Sequence, residues 1–123
     1  MACAVVEAAV ALREALLRRL ADTIAGWPVQ PRRATLFGSA ARADGSTGSD
    51  VDLLFVRDGP SCGAWENQVD TFRNRILMWT GNHPQIVDPD PETWQRMVAE
   101  SDPIVESVRA DGIDLLSPIW RSG

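Results

Sequence analysis

Two short apolar runs joined by a glycine- and serine-rich connection, Thr35 to Arg57, constrain this chain more than any other stretch. Ala34 to Phe37 is a short apolar run of the kind that makes a buried strand. Gly38-Ser39 break it, a small Ala/Arg segment follows as a short helix, and Gly45 to Ser49 form a turn-rich loop. The chain re-enters with Asp50-Val51-Asp52, and Leu53, Leu54, Phe55 and Val56 make a second strand. Residues two apart share one face of a strand, so Asp50 and Asp52 are expected to point the same way at its mouth.

That pair has a cost. Aspartate is a poor strand former, yet Asp52 adjoins four apolar residues. Two like charges about 6 Å apart at an effective dielectric of about 20 repel by about 2–3 kcal/mol. A divalent cation between them reverses the sign. Isolated acidic pairs are commonly solvated turn residues, but here the Gly-Ser turn upstream adds a second feature. A turn that leads into a helix start exposes backbone N–H groups and attracts phosphate. A phosphate cradle beside two carboxylates is what metal-assisted chemistry on a nucleotide needs.

Gly38-Ser39-Ala40-Ala41-Arg42, followed by Ser49-Asp50-Val51-Asp52-Leu53, resembles the signature of the DNA polymerase β-like nucleotidyltransferase superfamily, most closely its minimal, antitoxin-like group. The resemblance covers about Trp27 to Leu116, and Ala43 departs from it where many relatives carry glycine. It implies that Gly38, Ser39 and nearby N–H groups hold nucleotide phosphates, with Arg42 and Ser49 supporting them. Asp50 and Asp52 are the implied ligands of two Mg²⁺ ions, for which Mn²⁺ can substitute. The implied reaction moves NMP, AMP from ATP above all, onto a hydroxyl of a protein or small-molecule acceptor. Members of the group act as antitoxins, some by adding AMP to a toxin partner. The alternative is a module that binds a nucleotide or a partner with little chemistry of its own.

The same resemblance implies a third carboxylate on the strand beside Asp50-Val51-Asp52. The corresponding segment is Pro84-Gln85-Ile86-Val87-Asp88, and the closest alignment puts Gln85 at the acidic position. Glutamine binds metal weakly through its carbonyl oxygen and takes no proton. Asp88 is three residues on and faces the opposite way on a regular strand; it serves as the catalytic carboxylate only if the strand bulges or ends early, which Pro89 permits.

Length and composition fit one α/β (α+β) domain: 123 residues, 45% hydrophobic and 24% charged. An N-terminal amphipathic helix over 1–26 is expected to join a nucleotidyltransferase domain over 27–123. A net charge of −5 argues against an extensive nucleic-acid surface. Cys3 and Cys62 give no disulfide framework, so a reducing cytoplasm is the default. The apolar N-terminus is interrupted by Glu7 and Arg13 and lacks a basic leader, so it resembles neither a signal peptide nor a membrane span.

Apolar residues at Val5, Ala9, Leu12, Leu16, Leu20 and Ile24 predict a helix over 4–25, ended by Gly26, with Arg13, Arg18 and Arg19 facing water. Arg32 and Arg33 then read as a solvated pair ahead of the first strand. Trp65, Val69, Phe72, Ile76 and Trp79 predict a core-facing helix over 64–80 that Gly81-Asn82 ends. His83 to Asp88 reads as a third strand, with His83, the single histidine, as a loop residue rather than a metal ligand. Asp90-Pro91 and Asp102-Pro103 each open a helix, and Gly112 ends the second. Ile113 to Leu116 is expected as a short edge strand, and Pro118 to Gly123 as a tail. Five tryptophans in so small a chain, Trp120 without periodic context, raise the expectation of a homodimer or a protein partner.

Overall fold

The structure, a computed structural model, describes residues 3–38 and 51–120, with side chains from residue 13 onward. Helix α1 spans Cys3–Ala25, strand β1 Arg33–Phe37, strand β2 Asp52–Val56 and helix α2 Gly63–Thr80. Strand β3 covers Gln85–Val87, helices α3 and α4 cover Pro91–Ala99 and Pro103–Asp111, and β4 is the two-residue strand Ile113–Asp114. A 3₁₀ turn over Pro118–Trp120 follows where a tail was expected. The short helix expected between β1 and β2 lies outside the described residues.

The strands form one mixed sheet in the order β3-β2-β1-β4. β1 and β2 are antiparallel from Arg33↔Val56 to Phe37↔Asp52, β4 is antiparallel to β1, and β3 is parallel to β2. This is the expected α+β architecture of a small mixed sheet covered by helices. Alternation divides the side chains between two faces. Ala34, Leu36, Leu53 and Phe55 join Leu17, Leu20 and Ile24 of α1 and Trp65, Val69, Phe72 and Ile76 of α2. Phe37, Leu54 and Val56 face the other way, toward Trp94 of α3 and Ile104 and Val108 of α4.

Both long helices form where the apolar spacing puts them, with one shift. The buried line of α1 runs through Leu17, Leu20, Ala21 and Ile24, while Leu16 is only half-buried. Its stripe is thus rotated by a fraction of a turn from the predicted one, and Arg13 is half-buried rather than solvated. Helix α2 ends at Gly81, whose φ of 77° is left-handed and whose N–H donates to the Leu77 carbonyl. All five tryptophans pack. Trp27 lies between Phe55, Trp65 and Phe72 with ring centroids 5.2, 5.7 and 5.1 Å away. Trp79 and Trp120 pack against the same core and Trp94 against the other. Their number therefore no longer points to an interface. Among the described residues no helix is long and apolar enough to cross a membrane.

Helices α3 and α4 start as expected. Asp90 Oδ1 accepts from the Thr93 N–H at 2.7 Å, and Asp102 Oδ1 from the Ile104 N–H at 2.9 Å. The Thr93 hydrogen bonds hold the Asp90 carboxyl below the ordinary aspartate range, with smaller help from Arg57 and Arg96. A carboxyl lowered on folding adds stability above its unfolded pKa, and that stability is lost as pH falls through the folded value. Asp90→Ala is therefore expected to lower the thermal midpoint at pH 7, with the difference from wild type shrinking as the pH drops below the ordinary aspartate range. Asp90→Asn, which still caps, should keep most of the stability at pH 7 but lose that acid dependence. Thermal melts across pH 2–7 check both.

Candidate functional site

The sheet gathers the predicted motif at one end. In an antiparallel pair the end of β1 meets the start of β2, and β3, parallel to β2, also begins there. Phe37-Gly38, Val51-Asp52 and Gln85 are thereby brought together, and the Gln85 N–H donates to the Val51 carbonyl at 2.8 Å. Asp52 is half-buried on the sheet face that carries Leu54 and Val56. It is the cross-strand partner of Phe37, the residue before the Gly-Ser turn.

Gly38 shows why the motif opens with glycine. Its φ is +76°, and a Cβ built there would collide with the Asp52 carboxylate, meeting Oδ2 first and Cγ at 3.2 Å. The loop entry and the carboxylate are therefore in direct contact. Ser39, Arg42, Ser49 and Asp50, the other residues predicted here, lie outside the described residues.

Gln85 and Asp88 are separated by the register. Asp52 pairs with Gln85, and Leu54 with Val87, so Asp88 lies beyond the other end of β3. Its Oδ2 accepts from Trp65 Nε1 at 2.8 Å, on the α2 side of the sheet, opposite Asp52. Its main-chain carbonyl accepts from Arg57 Nε at 2.9 Å, and the Arg57 N–H donates to the Pro89 carbonyl. The strand neither bulges nor turns Asp88 back. The structure brings Gln85, not Asp88, beside Asp52, and Asp88 serves as the acceptor for a buried indole. Sequence reasoning missed this role. The signal was the parity of the two positions combined with a tryptophan at the first turn of α2.

Other polar residues are placed elsewhere. Arg33 lies over the Trp94 ring, 5.6 Å from its centroid, and Arg32 pairs with Asp58, both at the end of β1 remote from Asp52. Cys62 is a free, exposed thiol, and His83 is exposed just ahead of β3. A hollow of about 600 Å³ runs between the end of α1 and α2 over Trp27 and Phe72, away from Asp52. No group of three or more His, Cys, Asp or Glu side chains is placed to hold a metal among the described residues. The described part of the sheet end thus offers one carboxylate and one amide, both oxygen donors suited to a hard cation.

Compared with protein-family models and with curated proteins, the sequence matches none.

The Gly38–Asp52 contact has a measurable consequence. Gly38→Ala should destabilise the protein by about 1–3 kcal/mol, because it combines a left-handed backbone with a steric clash. Adding Asp52→Ala should recover the steric part and leave the backbone part. Urea unfolding of the two single variants and the double variant gives that coupling directly.

Proposed function

We propose that this chain is a Mg²⁺-dependent nucleotidyltransferase that moves NMP, AMP from ATP in the first instance, to a hydroxyl of a protein or small-molecule acceptor, a toxin-like partner protein among them. The observation that carries this reading is the contact of Gly38 with the Asp52 carboxylate at the end of paired strands. It supports a phosphate-holding loop set directly against a metal-binding carboxylate. The oxygen donors at Asp52 and Gln85 suit an oxygen-liganded cation.

In this reading Asp50 and Asp52 hold the cation and, through it, orient the triphosphate. Ser39 and the N–H groups after Gly38 bind the terminal phosphates, with Arg42 and Ser49 supporting the loop. Bound Mg²⁺ would supply charge neutralisation on the leaving pyrophosphate and acidify the acceptor hydroxyl. Calorimetric titration of ATP with and without Mg²⁺ tests the assignment. Binding should require the metal, and a variant carrying Asp50→Asn and Asp52→Asn should lose the metal-dependent part while keeping its circular dichroism spectrum. Equal affinity in that variant would remove the carboxylates from the site.

A second reading, a partner-binding module with little chemistry, draws on Met78 and Ile119, which are 84% and 67% exposed. Two isolated apolar side chains make a small surface, which ranks this reading second. Sedimentation at micromolar concentration should then show a species heavier than the 13.5 kDa chain, reduced to monomer by Ile119→Ser or Met78→Ser. Trp120→Ala is the poorer probe because Trp120 packs against the core.

A further inference from the structure

How many cations the protein itself can hold depends on what stands next to Asp52, and here the register is specific. Asp52 and Gln85 are Cα partners in a parallel pair. Paired residues on neighbouring strands, about 4.8 Å apart, project from the same face. Gln85 is exposed and Asp52 half-buried, so the two line one edge of the sheet end, and the Gln85 N–H is fixed to the Val51 carbonyl at 2.8 Å. Among the described residues, the group that the register sets beside the carboxylate is therefore an amide. Its carbonyl oxygen carries no formal charge, and its nitrogen donates hydrogen bonds but cannot bind a cation. Affinity for hard divalent ions rises with the number of charged oxygen ligands. Asp88 does not make up the difference, since its carboxylate is held by the Trp65 indole on the opposite face.

We propose that Gln85 sets the cation stoichiometry of the site. The protein holds one divalent ion tightly through its aspartates together with the nucleotide phosphates, and a second only weakly, through the nucleotide and the neutral oxygen of Gln85. This rests on the nucleotidyltransferase reading and refines it: two ions act in transfer, but only one is the protein's own. Nucleotide binding then saturates at lower metal concentration than transfer does.

Electron paramagnetic resonance of Mn²⁺, with the α,β-methylene analogue of ATP, counts tightly held ions without any turnover; the analogue alone gives the background. The wild type should hold one tight Mn²⁺ per chain above that background. Gln85→Asp should hold two, the second at least about tenfold tighter than in the wild type. Gln85→Glu offers the same charge on a side chain nearer the original length, and thermal melts confirm that each variant is folded. Asp88→Asn should leave the count at one. Two tight ions in the wild type, or a count unchanged in both Gln85 variants, would overturn the assignment to Gln85 while leaving metal-dependent nucleotide binding in place. Failure of every variant to bind the analogue would instead sink the nucleotidyltransferase reading, and this inference with it.

Discussion

The β1–β2 ladder is the interaction on which the rest of this structure depends. Every residue of the two five-residue strands is paired, and β4 and β3 protect the outer edges of the pair. Two lone strands would be marginal in water. These persist because both faces are apolar and covered, by α1 and α2 on one side and by α3 and α4 on the other. The same pairing fixes the candidate site. A slip of one residue would move Asp52 to the other face and bury it beneath α1 and α2, while turning Leu53 and Phe55 away from that core. Burial of the strands' apolar residues on both faces therefore holds Asp52 at the rim.

Trp65 shows how a core residue reaches into the layout of the site. Its ring is buried against Trp27 and Phe55, so its indole N–H needs a partner inside the protein. A buried donor left unsatisfied costs about 1–3 kcal/mol. Asp88 is that partner, while Arg57 holds its main chain. These bonds fasten the far end of β3 to α2 and to the end of β2. A strand of only three residues has little pairing of its own, so this clasp helps keep Gln85 opposite Asp52. Gln68 makes a similar link on α2, accepting from the Val29 N–H and donating to the Val29 carbonyl, which ties the segment after α1 into the core.

Much of this was legible in the sequence, for physical reasons that differ by element. The period of α2 and the glycine after it are strong local signals, and helix and cap form as read. The Asp-Pro entries of α3 and α4 are equally local, a carboxylate accepting from the first turn. The third strand was overdrawn: His83 and Pro84 lie outside it, and only Gln85–Val87 pair. The Pro118–Trp120 turn was read as a tail because its shape comes from packing on α1, where Arg18 donates to the Ile119 carbonyl, and not from its own pattern. At the site, parity along the strand already turned Asp88 away from the aspartates. What no local pattern carried was the register that sets Gln85 against Asp52, because register is a property of two strands. Where the tryptophans pack was hard to read from the sequence for a related reason. Trp27, in an irregular segment, has no period to mark it as core, yet it is the centre of the aromatic cluster.

Electrostatics adds a constraint of its own. A triphosphate brought to the Asp52 end of the sheet meets a carboxylate in a chain of net charge −5. The basic residues of β1 do not relieve this. Arg33 is four residues from Phe37, about 13 Å along a strand, and is stacked on Trp94, while Arg32 is paired with Asp58. A lysine or arginine at the rim acts on a phosphate only within about a Debye length, about 8 Å. A divalent ion in contact with both a carboxylate and a phosphate would turn each repulsion into an attraction. Under the proposed nucleotidyltransferase reading, an acidic chain with a carboxylate at its loop entry would therefore take its nucleotide as the metal complex. The neutral amide at Gln85 fits that balance, because it adds an oxygen donor without adding a further negative charge for the phosphates to overcome.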